Sequence, residues 1–284
     1  MDSGMTLKSI ISEIESWLIY GAILQAAHTV GWAVSVYQFM DLSFNPLVLV
    51  LIFMTSLMAY NSDYLMHYSE SDDQVNSKNR SEWISKRLRL IQVLVIVATI
   101  TSLTLAFTFT KVLPIILVGL VLVLIYNVKF LPGGNSIKQL PGIKAFYAAA
   151  LWTTLVVCVP VVNASGFLNR NAILVAIACF CFAAALANLS DIRDLEGDLQ
   201  VGTKTLPVLL GERAAKFISL VLILIGGCIA IWIDNMPIFI TAIYTEVFIL
   251  IFRPEIVGFS YWRKYLSSWC KSPGFVVALI SLLT

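Results

Sequence analysis

Charge is scarce in this chain. Asp, Glu, Lys and Arg together make up 13% of its 284 residues, against 59% hydrophobic residues. Soluble domains carry roughly a quarter charged residues, so a water-soluble globule is excluded. A mean hydropathy of +0.87 places the chain among polytopic membrane proteins. The net charge of +2 is too small to call for a nucleic-acid partner. The cysteines (Cys158, Cys179, Cys181, Cys228 and Cys270) mostly lie in apolar runs, with neither disulfide-framework nor metal-site spacing, and read as packing residues. No Ser-His-Asp set, no CxxC pair and no phosphate-cradling Gly-rich loop is present. His28, inside an apolar stretch, reads as a core or lumen histidine rather than a ligand. Met1–Ser16 lacks the basic-then-apolar pattern of a cleaved signal, so insertion is expected to start with the first span.

What the chain has is long apolar runs. A span needs about 20 apolar residues, and hydropathy predicts spans near 17–40, 45–66, 88–111, 113–127, 145–164, 172–190, 214–234, 237–252 and 273–284. The expected fold is therefore all-α, with about nine transmembrane helices. The loops at 67–87, 128–144, 191–213 and 253–272 hold nearly all the Lys and Arg, while the intervening ones hold little beyond Asp41, Lys111, Arg170 and Asp234. By the positive-inside rule this alternation puts the N-terminus and every charged loop in the cytoplasm, with the C-terminus outside.

The most concentrated charge stands at 188–207, NLSDIRDLEGDLQVGTKTLP, directly after the uncharged run Ala172–Leu186. On a helix, Asp191, Asp194 and Asp198 share one face. Stacked carboxylates at a membrane boundary repel one another and call for a cation. Hard oxygen donors suit Mg²⁺, which takes one or two carboxylates and completes its shell with substrate phosphates. The plainer reading is a solvated acidic cap. A second acidic loop, at 61–80, has the same layout: span two ends Asn61-Ser62-Asp63, and Glu70, Asp72, Asp73, Asn76 and Arg80 follow. The likeness of the two loops suggests two four-helix halves plus one extra helix. A third charged loop places Lys138 and Lys144 around Pro141-Gly142, a helix-breaking pair. Lys144 then falls near a helix start, against the dipole, so a negative partner is expected for it.

Carriers of protons or ions place carboxylates at mid-bilayer, whereas these sit at helix ends. The acids are too many for a glycosidase pair. What remains is a site for a diphosphate with an apolar tail: a divalent metal bridging it to the carboxylates, Lys and Arg neutralising the leaving charge, and a water-poor pocket protecting an allylic carbocation.

These residues resemble the UbiA superfamily of intramembrane prenyltransferases. Its second motif, D-x-x-D-x-x-x-D then G-x-x-T-L-P then L-G, is matched by Asp191, Asp194 and Asp198, by Gly202 to Pro207, and by Leu210-Gly211. Its third loop is matched by Lys138, Pro141 and Lys144. Its first motif, N-D-x-x-D-x-x-x-D-x-x-N, is met only in part. Asp73 and Asn76 fit its last step, Ser69 stands at the preceding acid position, and His67 stands four residues after Asp63. The resemblance covers the whole chain, 1–284, as one transmembrane domain. It implies nine helices around a central cavity, cytoplasmic caps and Mg²⁺-dependent transfer of a prenyl group from an isoprenyl diphosphate to a lipophilic acceptor, such as a quinone precursor or a glycerol ether. Asp191, Asp194 and Asp198 are expected to hold one Mg²⁺, and Asn61, Asp63 and Asp73 a second. Arg80, Asn76, Lys138, Lys144 and Lys204 are expected on the diphosphate, and Tyr60, Tyr126 and Tyr147 are candidates to face the cation. The departures in the first motif keep open a terpene cyclase that uses no acceptor and a non-catalytic lipid-binding relative. A transporter is disfavoured because few polar residues (Gln25, His28, Gln92) fall at mid-span.

Overall fold

The computed structural model describes residues 7–68, 75–132, 134, 136–251 and 279. The described chain is built from helices: α1 (Leu7–Tyr20), α2 (Ile23–Phe39), α3 (Pro46–His67), α4 (Lys78–Lys86), α5 (Leu88–Thr108), α6 (Leu113–Asn127), α7 (Ile143–Ser165), α8 (Arg170–Arg193), α9 (Leu195–Val201), α10 (Leu206–Leu210), α11 (Glu212–Trp232) and α12 (Met236–Ile251). By length and apolarity α3, α5, α7, α8 and α11 are long enough to cross a membrane, and α6 is a shorter apolar helix.

Local chemistry explains the ends. Asn45 caps α3, its side-chain oxygen accepting from the Leu47 N–H at 3.1 Å, and Pro46 takes the first turn, where its missing N–H costs nothing. Asn169 caps α8 in the same way, through the Ala172 N–H at 2.8 Å. In α7 one π turn at Thr154–Cys158 stands just ahead of Pro160, whose ring and missing N–H disrupt a regular ladder.

The predicted spans at 45–66, 88–111, 113–127, 145–164, 172–190, 214–234 and 237–252 correspond to α3, α5, α6, α7, α8, α11 and α12 within a few residues. The span predicted at 17–40 is corrected. Gly21 and Ala22 break it, with Ala22 in the left-handed region at φ 59°, and a Cβ at Gly21 would stand 2.6 Å from the Trp17 carbonyl oxygen. The preceding α1 is a separate helix whose Ile11 and Ile14 are more than half exposed. The span predicted at 273–284 lies outside the described residues.

Two apolar cores divide the bundle. Ala33, Val48, Leu51, Ile52, Ala106 and Ile116 join α2, α3, α5 and α6. Val156, Phe182, Leu189, Ile223, Ile238 and Ala242 join α7, α8, α11 and α12, with Trp32 and Val36 of α2 closing that second core. Lipid supplies no hydrophobic drive between helices, so close approach of small residues does the packing. Ala178 of α8 faces Gly226 of α11 in this way, and nearer the acids the Ala185 carbonyl accepts from Ser219 Oγ at 3.2 Å. A Cβ at Gly226 would lie 3.0 Å from the Phe182 ring and 3.3 Å from the Ala178 carbonyl oxygen. Gly226→Leu is therefore expected to cost about 1–3 kcal/mol, read as a lowered unfolding midpoint in detergent, whereas Val221→Leu on the exposed face of α11 leaves the midpoint unchanged.

Candidate active site

No charged residue occurs in α8 between Arg170 and Asp191. One turn before the acids, the Asn188 amide donates to the Ala215 carbonyl at 2.7 Å and to Ser219 Oγ at 2.9 Å, fastening α8 to α11. α8 stops at Arg193, Asp194 takes the junction at φ −94° and ψ 9°, and α9 carries Asp198. This break divides the three acids that an unbroken helix would align. Asp191 and Asp198, buried at 4% and 2% exposure, turn to one partner, Lys144. Its Nζ lies 3.0 Å from Asp191 Oδ1 and 3.1 and 3.3 Å from the two Asp198 oxygens. Asp194 instead accepts both prongs of the Arg193 guanidinium, at 2.7 and 2.6 Å.

Lys144 reaches this position because the third loop is hooked onto the second. Gly142, at φ 70°, donates its N–H to the Lys204 carbonyl at 2.7 Å, and α7 begins at the next residue. The negative partner that a lysine at a helix start calls for is thus present twice over. Burial pushes the Asp198 carboxyl above its ordinary value, against the pull of the Lys144 ammonium. Burial also works to raise Asp194, but the Arg193 guanidinium, aided by Lys144 and Arg80, overrides it and holds that carboxyl below its ordinary value.

The first loop reaches the same place by another route. Asn76 Oδ1 accepts from the Gly197 N–H at 3.0 Å, inside the second acidic motif. A Cβ at Gly197 would fall 2.3 Å from the Asn76 amide, so only glycine admits this contact. Arg80 lies with its guanidinium 4.3 Å over the Tyr64 ring, and its charge is felt at Asp194. Asn61 is fully buried and donates to the Gly21 carbonyl at 3.0 Å and the Leu57 carbonyl at 2.9 Å, so its amide ties α3 to the α1–α2 break. Asp63, with its side chain 40% exposed, stands 3.7 Å from His67 Nε2, which also lies 3.1 Å from Asn127 Oδ1. Asp73, Glu70 and Asp72 lie outside the described residues.

Lys138 sits buried on a short 3₁₀ turn, Ile137–Gln139, while the Lys204 side chain is exposed. Tyr126 stacks on Tyr147 at 5.1 Å and lies within electrostatic reach of Lys144, Asp63, Asp191 and Asp198. It is thus within reach of charges from both the first and the second loop. The His67–Asn127 contact and the Arg193 clamp were not read from sequence; a lone Asn closing the apolar run of α6 was the available signal for the first.

Among the described residues no group of three or more His, Cys, Asp or Glu is gathered as a finished metal cage. The donor set nevertheless fits a hard divalent cation. Two buried carboxylates already converge on one cationic atom, and an incoming phosphate would complete the shell.

Comparison with known proteins agrees with this architecture. A digeranylgeranylglyceryl phosphate synthase of Natronomonas pharaonis is 23% identical over 228 residues, 75% of each chain. One from Thermococcus gammatolerans is 31% identical over 96 residues, covering 33% of this chain and 30% of its own. Among solved structures, a UbiA homologue from Aeropyrum pernix aligns at a TM-score of 0.64 and 16% identity over 92% of this chain and 99% of its own. A homologue from Archaeoglobus fulgidus bound to GPP and Mg²⁺ aligns at 0.60 and 16%, over 91% and 99%. At such identity these likenesses speak for the fold. The model of the UbiA prenyltransferase family matches residues 84–268, which hold the third loop, Asp191, Asp194, Asp198 and the Gly202–Pro207 segment. With more than half its length matched, and with the 188–207 acidic loop and the Lys138–Lys144 loop inside the match, the chain belongs to the UbiA prenyltransferase family.

Proposed function

We propose that the protein is a Mg²⁺-dependent intramembrane prenyltransferase that moves a polyprenyl group from an isoprenyl diphosphate to a lipophilic acceptor, with the whole chain, 1–284, acting as one domain. The observation that carries this reading is the convergence of three sequence-distant loops at one end of an apolar bundle. Lys144 joins Asp191 and Asp198 within 3.1 Å, and Asn76 bonds Gly197. Asp191, Asp194 and Asp198 would hold one Mg²⁺, and Asp63 and Asp73, helped by Asn61, a second. The ion would supply charge stabilisation to the departing diphosphate. In support, the Archaeoglobus relative is described as bound to GPP and Mg²⁺.

The protein's own groups do the rest. Lys138, Lys144, Arg80 and Lys204, with Asn76, receive the diphosphate, and the tail lies between the two halves of the bundle. The C1–O bond breaks, and its electron pair stays on the diphosphate. An acceptor oxygen then bonds C1 of the allylic cation and loses its proton to diphosphate or solvent. The lipid-packed walls exclude water from that cation. The names of the curated relatives favour a glyceryl phosphate hydroxyl over a quinone precursor as acceptor. The charged loops are assigned to the cytoplasmic face by their Lys and Arg content.

In bilayer nanodiscs supplied with labelled geranylgeranyl diphosphate, Mg²⁺ and a glyceryl phosphate ether, Asp191→Asn and Asp198→Asn should each slow diphosphate release on the order of 100-fold. Undiminished release in both variants would overturn the mechanism. Chelation of divalent metal with EDTA should abolish release and Mg²⁺ should restore it; release that persists in EDTA rejects the metal requirement. A cyclised hydrocarbon formed from the diphosphate alone would instead establish the cyclase reading, which the His67 departure in the first motif keeps in play.

A further inference from the structure

Lys144 is held against its own helix. It lies in the first turn of α7, where the helix dipole is positive, so its ammonium stays there only because Asp191 and Asp198 face it. The Lys144 side chain is 24% exposed, and those of Asp191 and Asp198 are 6% and 3%, so the lysine is the least covered member of the group. Its backbone cannot withdraw, because the Gly142 N–H is bonded to the Lys204 carbonyl at 2.7 Å and the Thr203 N–H to the Asp198 carbonyl at 2.9 Å. Loop and helix start are thus pinned to the segment that carries Asp198. Only the four-carbon stem can move. Arg193 cannot replace it, since both guanidinium prongs are spent on Asp194.

We propose that Lys144 is a tethered counter-ion that competes with the divalent cation for Asp191 and Asp198 and moves onto the diphosphate when metal enters. The inference rests on the metal-dependent reading given above. Mg²⁺ binds carboxylate oxygen at about 2.1 Å, and an ammonium 3.0 and 3.1 Å from oxygens of the same two carboxylates occupies the same space with like charge. One must leave. A displaced ammonium with no anion at hand is left half-buried beside a positive helix end. With a diphosphate present it gains a charge-assisted partner. Lys144 thereby makes metal entry and diphosphate entry favour each other, and it discourages idle metal binding.

The test uses the full chain in detergent micelles, with Mn²⁺ as probe and free Mn²⁺ read by electron paramagnetic resonance, no diphosphate being added. Lys144→Gln removes the competing charge and should tighten Mn²⁺ binding by about 5- to 150-fold, the usual span of coupling between sites. Lys144→Arg keeps the charge and should bind like the wild type. Mn²⁺ binding by Lys144→Gln that is equal to or weaker than wild type overturns the inference while leaving the metal-dependent reading standing. Absence of Mn²⁺ binding in every protein, even after pyrophosphate is added, overturns both. A second measurement needs no variant: acetylation of Lys144 in the wild type, followed by mass spectrometry, should quicken several-fold at saturating Mg²⁺ alone, where the displaced ammonium has no anion to meet, and slow again when pyrophosphate is added. An unchanged or slower rate with Mg²⁺ alone also overturns the inference.

Discussion

Two carboxylates buried just beyond an uncharged helical run set the terms for this molecule. A carboxylate carried out of water costs several kcal/mol unless a cation meets it, and Asp191 and Asp198 are nearly inaccessible. The cation is not local. It comes from the start of α7, and it arrives only because Gly142 is hydrogen-bonded to the Lys204 carbonyl, so the loop before α7 and the loop after α9 must fold as one piece. Asn76 brings the first loop to the same piece through the Gly197 N–H. Such an ion pair is weak evidence for stability, since an apolar substitute of similar volume often does as well. Its value is positional: it commits three segments to one end of the bundle.

The large features of this fold are written in the sequence in a form that hydropathy can read. Runs of apolar residues bounded by Asn-Pro, by Asn before Arg170 or by Gly211-Glu212 gave spans whose ends agree with α3, α8 and α11 within a few residues. What hydropathy cannot see is backbone geometry inside an apolar run. Gly21-Ala22 is as apolar as its neighbours, and the left-handed turn there separates α1 from α2 without any change in composition. The same blindness applies to buried amides. Asn61 and Asn188 occupy like places in the two acidic motifs, and the sequence offers them equally as ligands or as structure. In the molecule each donates across to a carbonyl, Gly21 for one and Ala215 for the other. An amide facing lipid is costly, and a carbonyl of a neighbouring segment is the partner it finds.

The acids were legible as a group, but their division was not. A helical wheel places Asp191, Asp194 and Asp198 on one stripe, and the stripe holds only while the helix is unbroken. Asp194 sits at the junction between α8 and α9, so its side chain leaves the stripe and pairs with its own neighbour Arg193. That pairing lowers the charge facing Lys144 from three carboxylates to two. It also sets the two kinds of carboxyl apart, with Asp198 raised by burial and Asp194 held low by a bidentate guanidinium.

The middle of the bundle bears on what such a mouth can serve. Polar side chains there are few, and Gln25, Thr29, Tyr64 and Trp152 are gathered into one local cluster. Gln25 donates to Tyr64 Oη and to the Ile19 carbonyl, each at 3.3 Å, Thr29 to the Gln25 carbonyl at 2.9 Å, and Trp152 Nε1 to Thr29 Oγ1 at 3.3 Å. Beside them Trp32 packs edge-on to Trp152 and tilted to Phe182, both at 5.6 Å, where the α2 helix meets the second half. A hydrophilic solute crossing the bilayer needs a continuous line of polar groups, and this is a short cluster walled by aromatic rings. A charged mouth above aromatic and aliphatic walls suits instead a molecule that is anionic at one end and hydrocarbon along the rest of its length. That division of polarity along the bundle axis follows from where the sequence spends its few charges.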